Sequence, residues 1–140
     1  VREFASYFNA EMVICDKQRK RANEIASMTV IGDVEGRDII LIDDICDTAG
    51  TLTKSAAMLK ERGALSVTAF CTHPVLSGKA YENIENSVLE KLVVCDTIPL
   101  KQQCDKIEVV SVAELFAIAI RNTFENKSIH SLFIHSNRLK

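Results

Sequence analysis

The feature that most constrains the fold is an abrupt change of chemistry at residue 43. Residues 39–42 are aliphatic and mostly β-branched, which predicts a buried strand, and Asp43 and Asp44 follow at once. From Thr51 the apolar side chains recur at helical spacing, and Gly63 is placed to end the helix. A strand, a polar turn and a helix in series predict an α/β fold.

The same alternation of strands and helices continues on both sides of this unit. Short apolar runs predict strands at residues 12–15, 29–34, 67–71, 92–95 and 132–134, and helical spacing predicts helices at 4–8, 79–84 and from 111 onward. The strand at 12–15 is expected to be buried on both faces and to end at Asp16. Such an alternation predicts a parallel sheet with helices on both faces.

Two segments carry a more specific expectation. Residues 17–27 are polar and basic with little periodicity, which predicts a mobile loop. Ser111 and Glu114 have the spacing of a capping box, and the helix that they open is rich in apolar residues. We expect this helix to expose little of its surface, either in a deep interior position or at a subunit contact.

The composition excludes several classes of function. The 140 residues suit one domain, and 17 basic against 19 acidic side chains give a formal charge of -2, which supplies no general field for nucleic acid or an anionic membrane. No apolar run approaches the roughly 20 residues that span a bilayer. Five widely spaced cysteines indicate neither a disulfide framework nor a zinc site, so we expect a cytoplasmic protein in which Cys46 is buried and inert.

The polar chemistry concentrates in the turn between the strand at 39–42 and the following helix. Seven residues form the candidate site: Asp43, Asp44, Asp47, Thr48, Ala49, Gly50 and Thr51. In open α/β sheets ligands bind at this edge, and a helix start offers unpaired N–H groups and the positive end of its dipole. Small residues allow a phosphate to approach closely, threonine hydroxyls add donors, and carboxylates suit sugar hydroxyls or a hydrated divalent cation.

A simpler interpretation of the same residues is open. Asp47 or Thr48 could cap the helix, and Asp43 and Asp44 could end a strand with solvated charge. Three carboxylates and two threonines around one strand-to-helix turn favour a binding function instead. His73, a lone histidine at a strand end, is expected to be structural, because no second type of ligand is spaced for a metal.

Three segments resemble one enzyme family. Residues 41–51 (LIDDICDTAGT) resemble the ribose-phosphate-binding motif of the ribose-phosphate pyrophosphokinases, a motif that is shared with the phosphoribosyltransferases. Residues 15–19 (CDKQR) resemble the catalytic flexible loop of the pyrophosphokinases, and residues 71–78 (CTHPVLSG) resemble their T-H-x-x-L-S-G segment. These two segments are more specific to the pyrophosphokinases. Together with the segment from Ser111, the resemblance covers nearly the whole chain.

The resemblance implies a type I phosphoribosyltransferase-like α/β fold and a ribose-phosphate diphosphokinase. Such an enzyme transfers diphosphate from ATP to ribose 5-phosphate and yields 5-phosphoribosyl 1-diphosphate and AMP. Residues 1–140 would be a single C-terminal ribose-phosphate-binding domain without the upstream ATP-binding domain, in keeping with a first residue, Val1, that lies in a helical pattern. We expect the isolated chain to be inactive and the full-length protein to form a homo-oligomer, either a dimer or a hexamer.

The resemblance also implies roles for individual residues. Residues 47–51 would hold the 5-phosphate of ribose 5-phosphate, while Asp43 and Asp44 would bind the ribose hydroxyls and Mg²⁺, directly or through water. Lys17 and Arg19 match the catalytic basic pair, which would neutralise charge on the transferring group. Without the resemblance, the basic run around these two residues would be interpreted as solvated charge.

Two other functions are open at this point. A phosphoribosyltransferase would use the same strand-to-helix turn, but neither end of the chain supplies an evident segment for recognition of a base. A non-catalytic relative would bind the sugar phosphate only to regulate a partner. The presence of Lys17, Arg19 and Asp43 argues against such a loss of activity.

Overall fold

The computed structural model describes residues 2–21 and 24–133. The chain divides into two compact units. The larger unit is Val13–Val110, and the smaller unit combines Val1–Met12 with Ser111–Lys140. The turn that carries the candidate site belongs entirely to the larger unit.

Six strands, four helices and one short 3-10 turn follow one another along the described residues. The strands are β1 (Ile14–Arg21), β2 (Glu24–Ile31), β3 (Asp38–Cys46), β4 (Ser66–Pro74), β5 (Lys91–Cys95) and β6 (Ile107–Val110). The helices are α1 (Arg2–Phe8), α2 (Gly50–Glu61), α3 (Ala80–Glu85) and α4 (Ala113–Phe124), and the 3-10 turn is His130–Leu132. No helix in these ranges is long and apolar enough to cross a membrane.

Strands β3 to β6 form a parallel sheet in the order β3-β4-β5-β6. The register places Ile42 opposite Phe70, and Phe70 opposite Val93. Helix α2 connects β3 to β4, α3 connects β4 to β5, and the two helices contact each other. The predicted α/β fold, a parallel sheet with helices packed on it, is confirmed.

The core of the larger unit lies between helices α2 and α3 and the sheet. Leu59 and Ile84 of the helices and Val67 and Leu92 of the strands are completely excluded from water. Burial of one such side chain contributes about 1.5–3 kcal/mol. Along β4 every second side chain from Val67 to Cys71 is buried, which is the alternation of a strand with one covered face.

Helix α2 ends where the sequence predicts its end. The Ala64 N–H donates to the Leu59 carbonyl (3.1 Å), and the Gly63 N–H donates to the Lys60 carbonyl (3.0 Å). These two bonds form a Schellman motif, which requires a left-handed residue after the helix. Gly63 supplies it with a φ of 91°.

The hairpin formed by β1 and β2 contradicts the loop predicted at residues 17–27. Strand β1 continues beyond Asp16 and pairs antiparallel with β2, with Lys17 opposite Met28. The unpaired loop and the strand end at Asp16 are therefore wrong, and the mobility of this segment stays a prediction. The polar side chains give no apolar period, but backbone groups pair in a two-stranded ribbon whatever the side chains are. Residues 22 and 23 lie outside the described part of the chain.

Two other strand predictions differ from the structure, and one strand was missed. The strand predicted at 29–34 begins earlier and ends at Ile31, because the following Gly32 has a φ of 126° and leaves the extended conformation. Strand β6 was not predicted, since four residues that include a charged one give too short a pattern. The strand predicted at 132–134 is wrong, because Leu132 closes a 3-10 turn, and Ile134 lies outside the described residues.

The start of helix α4 differs from the predicted capping box. The residue that precedes the first turn is Val112, one position later than Ser111. The Ser111 hydroxyl oxygen accepts a hydrogen bond from the Ala113 N–H (3.2 Å), which is a local turn. Glu114 consequently stands at the second helical position and not at the third, so the capping box is wrong.

The surface of helix α4 also differs from the expectation. None of its residues is buried, and Ile120 and Phe124 are 67% and 87% exposed. The prediction that the helix exposes little surface is therefore wrong for the described chain by itself. A subunit contact for this helix stays a prediction.

Candidate functional site

The two carboxylates near the end of β3 lie in the strand itself. Asp43 is opposite Cys71 of β4, and both Asp43 and Asp44 are exposed to solvent. The Asp44 N–H donates to Asp43 Oδ1 (3.0 Å), and the Ile45 N–H donates to Asp44 Oδ1 (2.9 Å). A carboxylate has about four acceptor positions, so these bonds orient the side chains and leave them able to bind a ligand.

The loop between β3 and α2 turns through a strained residue. Ala49 has φ 59° and ψ -1°, in the left-handed region that costs a residue with a Cβ atom about 1–2 kcal/mol. Such strain persists only where surrounding contacts fix the backbone, and it occurs often at functional sites. Ala49 is buried and immediately precedes Gly50, the first residue of α2.

The first turn of α2 has no side-chain cap. The alternative in which Asp47 or Thr48 caps the helix is therefore wrong. Over the described ranges, the N–H groups of Thr48 and Gly50 have no protein acceptor, whereas the Ala49 N–H donates to the Cys46 thiol. With no acidic residue in the first turn, these N–H groups and the helix dipole suit an anion.

The segment that follows β4 holds this loop in place. Three successive carbonyl oxygens of the loop accept hydrogen bonds from it: Cys46 from the Leu76 N–H (3.1 Å), Asp47 from the Ser77 N–H (3.0 Å) and Thr48 from Asn83 Nδ2 (2.9 Å). The Ser77 hydroxyl also donates to the Asp47 carboxylate. The Asp47 side chain thus has a partner within the protein, Ser77.

Sequence reasoning did not assign Ser77 and Asn83 to the site. Ser77 lies in the T-H-P-V-L-S-G segment that carries the family resemblance, so its position was a usable signal. Asn83 is an ordinary polar residue on a short helix, and its contact spans 35 positions of sequence. Contacts of that separation become visible only when β3 and β4 are placed side by side.

Two buried thiols lie beneath the site. Cys46 is 4% exposed, which confirms its predicted burial. The pKa of Cys46 is raised to about 12, mainly by burial and also by the neighbouring Cys71 thiol and Asp43 carboxylate, while the Ala49 N–H lowers it. Burial also raises the pKa of Cys71. Both thiols therefore stay protonated near neutral pH, where a thiol is a poor nucleophile.

The hydrogen bonds of His73 define its tautomer. The Thr97 hydroxyl donates its single hydrogen to the Thr72 carbonyl (2.8 Å), and Thr97 Oγ1 lies 3.0 Å from His73 Nδ1. Because that hydroxyl has no second hydrogen, His73 Nδ1 must carry a proton and donate it. This bond ties the end of β4 to the turn after β5, as expected for a structural histidine.

The predicted catalytic pair lies in strand β1. Lys17 is opposite Met28 and Arg19 is opposite Ile25, with an irregularity in the register at Gln18. The side chains of Lys17 and Arg19 lie outside the described part of the chain. The structure therefore gives only their backbone pairing, and their catalytic role stays a prediction.

Asp43 and Asp44 are the candidate ligands for Mg²⁺. No group of three or more His, Cys, Asp or Glu side chains that could hold a metal ion occurs within the described residues. Mg²⁺ is usually bound through one or two carboxylates together with substrate phosphates and water. The two exposed carboxylates of Asp43 and Asp44 fit that kind of coordination, in which substrate and water supply the remaining ligands.

Nearly the whole chain matches a known protein family. Residues 9–134 match the phosphoribosyl synthetase-associated domain. The chain is 55% identical over 133 residues to the ribose-phosphate pyrophosphokinase of Campylobacter jejuni, a match that covers 95% of this chain and 43% of the relative. It is 53% identical over 133 residues to the enzyme of the same name from Wolinella succinogenes, again with 95% and 43% coverage.

A solved structure shows the same fold. The phosphoribosylpyrophosphate synthetase from Mycobacterium smegmatis superposes with a TM-score of 0.69 at 37% sequence identity, over 71% of this chain and 34% of that one. The chain therefore spans less than half the length of the relatives that it matches. The residues that match the family model include the β3–α2 turn, the hairpin and the segment after β4.

Proposed function

Because this chain belongs to the phosphoribosyl synthetase-associated domain family, we propose that it supplies the ribose 5-phosphate site and the catalytic loop of a ribose-phosphate diphosphokinase. The reaction transfers diphosphate from ATP to ribose 5-phosphate and gives 5-phosphoribosyl 1-diphosphate and AMP. One observation carries the proposal. The N–H groups of Thr48 and Gly50 have no protein acceptor among the described residues, and they lie in the turn that follows two exposed carboxylates.

Residues 47–51 would hold the 5-phosphate. A phosphate dianion accepts hydrogen bonds from backbone N–H groups at a helix start and is stabilised by the helix dipole there. Thr48 and Thr51 hydroxyls would add donors to the same group. The carboxylate of Asp47 would repel the phosphate, and its hydrogen bond with Ser77 supports a role for the Asp47 backbone in binding.

Asp43 and Asp44 would bind the ribose hydroxyls and Mg²⁺. Ionised carboxylates accept hydrogen bonds from hydroxyl groups, and their oxygens are ligands that Mg²⁺ prefers. When bound with substrate phosphates, the cation supplies charge neutralisation for the transferring group. The two side chains would orient the anomeric hydroxyl for attack on the β-phosphorus of ATP, with AMP as the leaving group.

Lys17 and Arg19 would act from the β1–β2 hairpin on the transferring diphosphoryl group. Charge on that group spreads over its oxygens in the transition state, and positioned cations stabilise it. We place most of the ATP site in parts of the protein outside this chain, because the relatives are more than twice as long. We also propose that the full-length protein is a cytoplasmic homo-oligomer, a dimer or a hexamer.

The test of this proposal is calorimetric titration of the protein with ribose 5-phosphate and Mg²⁺, compared between the native protein and Gly50→Ala. A Cβ atom at Gly50 would meet only the Thr48 hydroxyl, at 3.7 Å, so the fold accepts alanine there. Alanine is also the better helix residue. The added methyl group would nevertheless lie where the phosphate approaches, and we expect affinity to fall about tenfold.

Two controls sharpen this measurement. Glu61→Ala, at the exposed far end of the same helix, changes helix propensity and leaves the turn alone, and it should bind ribose 5-phosphate as the native protein does. Ribose without a phosphate should bind far more weakly than ribose 5-phosphate. Equal binding of ribose, or tight binding of a free nucleobase, would overturn the diphosphokinase assignment, and the second result would favour a phosphoribosyltransferase.

A further inference from the structure

The peptide groups of the β3–α2 turn are oriented by residues that lie outside it. We infer that Ser77 and Asn83 are positioning residues, which fix the backbone N–H groups of the turn for an anion. The identity of the ligand, ribose 5-phosphate, rests on the proposed function. The positioning rests on the hydrogen bonds between the β3–α2 turn and the segment after β4.

The hydrogen bonds run to consecutive peptide groups. The carbonyls of Cys46, Asp47 and Thr48 are each held by a donor from the segment after β4, at 3.1, 3.0 and 2.9 Å. Two of these donors are the backbone N–H groups of Leu76 and Ser77. The third is the Asn83 side chain, which is half-buried on α3.

Peptide geometry converts these bonds into an orientation of N–H groups. In a trans peptide the C=O and the following N–H point in opposite directions, because the group is planar. A carbonyl that points toward the segment after β4 therefore turns the next N–H away from it. The Asp47 carbonyl thus aims the Thr48 N–H, which has no protein acceptor in the described ranges, to the other side of the loop. The bond from Asn83 to the Thr48 carbonyl fixes the next peptide group, whose Ala49 N–H points to the Cys46 thiol, and so holds Thr48 from its other end.

The Ser77 hydroxyl adds a second effect. It donates to the Asp47 carboxylate, while the Ser77 N–H donates to the Asp47 carbonyl, so one residue holds both polar ends of Asp47. A carboxylate tied in this way is kept from turning toward a bound phosphate. Ser77 therefore acts on both the orientation and the charge of the turn.

Both segments contain a residue in a strained conformation. Ala49 has a φ of 59° and Leu76 a φ of 46°, although neither is glycine. A left-handed residue with a side chain needs contacts that over-determine it. The bonds from Leu76 and Ser77 to Cys46 and Asp47 join the two strained segments directly, and each segment can serve as the support of the other.

The chain contains a matched control for Ser77. At the opposite end of the same two strands, the Ser66 hydroxyl donates to Asp38 Oδ1 (2.5 Å), which again links a serine of the β4 segment to an aspartate of the β3 segment. Ser66→Ala and Ser77→Ala each remove one serine–aspartate hydrogen bond between these segments. Only the Ser77 bond lies next to the turn that would hold the phosphate.

The experiment compares four variants of the full-length protein: Ser77→Ala, Ser77→Thr, Asn83→Asp and Ser66→Ala. Affinity for ribose 5-phosphate and for inorganic phosphate is measured by calorimetry, and melting temperature is measured alongside. We expect Ser77→Ala and Asn83→Asp to weaken binding of both ligands about tenfold, since each removes a donor to the turn. Ser77→Thr keeps the hydroxyl and should restore affinity to within about threefold.

The control separates positioning from plain stability. Ser66→Ala should lower the melting temperature about as much as Ser77→Ala and leave both affinities unchanged. Equal affinities for Ser77→Ala and Ser66→Ala would overturn the inference even if ribose 5-phosphate binds well. Should Ser77→Ala not fold, the same comparison is made with Asn83→Asp, which alters one half-buried side chain on α3.

The two ligands separate this inference from the proposed function. Native protein that binds inorganic phosphate but does not prefer ribose 5-phosphate would refute the proposed function, and weaker phosphate binding by Ser77→Ala would still support positioning. If the native protein binds ribose 5-phosphate and the Ser77→Ala and Asn83→Asp variants bind it equally well, the proposed function is supported and the positioning role is refuted. Native protein that binds neither ligand would overturn both.

Discussion

Single residues in the turn after β3 have environments that set their chemistry. Cys46 is within the segment that resembles a ribose-phosphate motif, yet its thiol is buried and uncharged near neutral pH. The Ala49 N–H points to its sulfur, which leaves the neighbouring N–H groups of Thr48 and Gly50 for a ligand. Cys46 is therefore part of the support of the turn.

The raised pKa of Cys46 has a consequence for stability at alkaline pH. The thiol of an unfolded chain loses its proton near pH 9.0, whereas in the folded protein the pKa is raised to about 12. Between these values the unfolded state binds fewer protons, so the free energy of unfolding falls as pH rises. Below pH 9 the contribution of this thiol to stability is fully present.

The corresponding prediction is a difference in slope between native protein and Cys46→Ala. Between pH 9 and 12, the free energy of unfolding of the native protein should fall more steeply with pH, by at most about 1.4 kcal/mol per pH unit. The cavity left by alanine lowers stability by a similar amount at every pH, so the slope isolates the titration. Urea unfolding at a series of pH values measures it, and parallel slopes would contradict the assigned burial effect.

At the scale of elements, the sequence predicted what apolar periodicity controls. Strand β3 and helix α2 follow from an aliphatic run, a helical period and a terminal glycine. The helix end at Gly63 was placed correctly, whereas β3 continues beyond the predicted end at residue 42 to Cys46. The β1–β2 hairpin was missed because its strands are polar and its pairing depends on backbone groups. The supports of the site, Ser77 and Asn83, were missed because they reach the turn only through the packing of β4 and α3 beside β3.

The ends of helix α2 predict opposite effects for one type of substitution. Gly63 has a φ of 91°, and a Cβ atom there would lie 3.1 Å from Glu35 Cγ, so Gly63→Ala introduces both strain and crowding. We expect a loss of about 1–2 kcal/mol in the free energy of unfolding. Gly50→Ala, at the other end, should stabilise by up to about 1 kcal/mol or have no effect.

Chemical denaturation of the two alanine variants measures this difference. Asn at position 63 serves as the control, because asparagine tolerates the left-handed region better than alanine does. Gly63→Asn should therefore lose less stability than Gly63→Ala. A Gly63→Ala protein as stable as the native one would show that the Schellman motif does not limit the stability of this helix.

At the scale of the whole molecule, the two faces of the parallel sheet have different surroundings. One face lies under α2 and α3 and contains the buried side chains of β4. On the other face, Ile40 and Phe70 are 58% and 41% exposed in the described chain. These side chains suit a strand on either face of a sheet, so their identity predicts the strand and does not indicate which face is covered.

A pair of substitutions on β4 tests the difference between the faces. Val67 and Phe70 are an odd number of residues apart, so their side chains point to opposite faces, and Val67 is completely buried. Val67→Thr places a hydroxyl in the core and should cost about 1–3 kcal/mol of unfolding free energy. Phe70→Thr places a β-branched residue in the strand and removes exposed apolar surface, so this chain should lose less than about 1 kcal/mol and associate less with itself.

Denaturant titration measures the free energy of unfolding, and sedimentation velocity over a range of concentrations measures self-association. If Phe70→Thr destabilised this chain as much as Val67→Thr, both faces would be covered, and the one-sided core derived from burial along β4 would be incorrect.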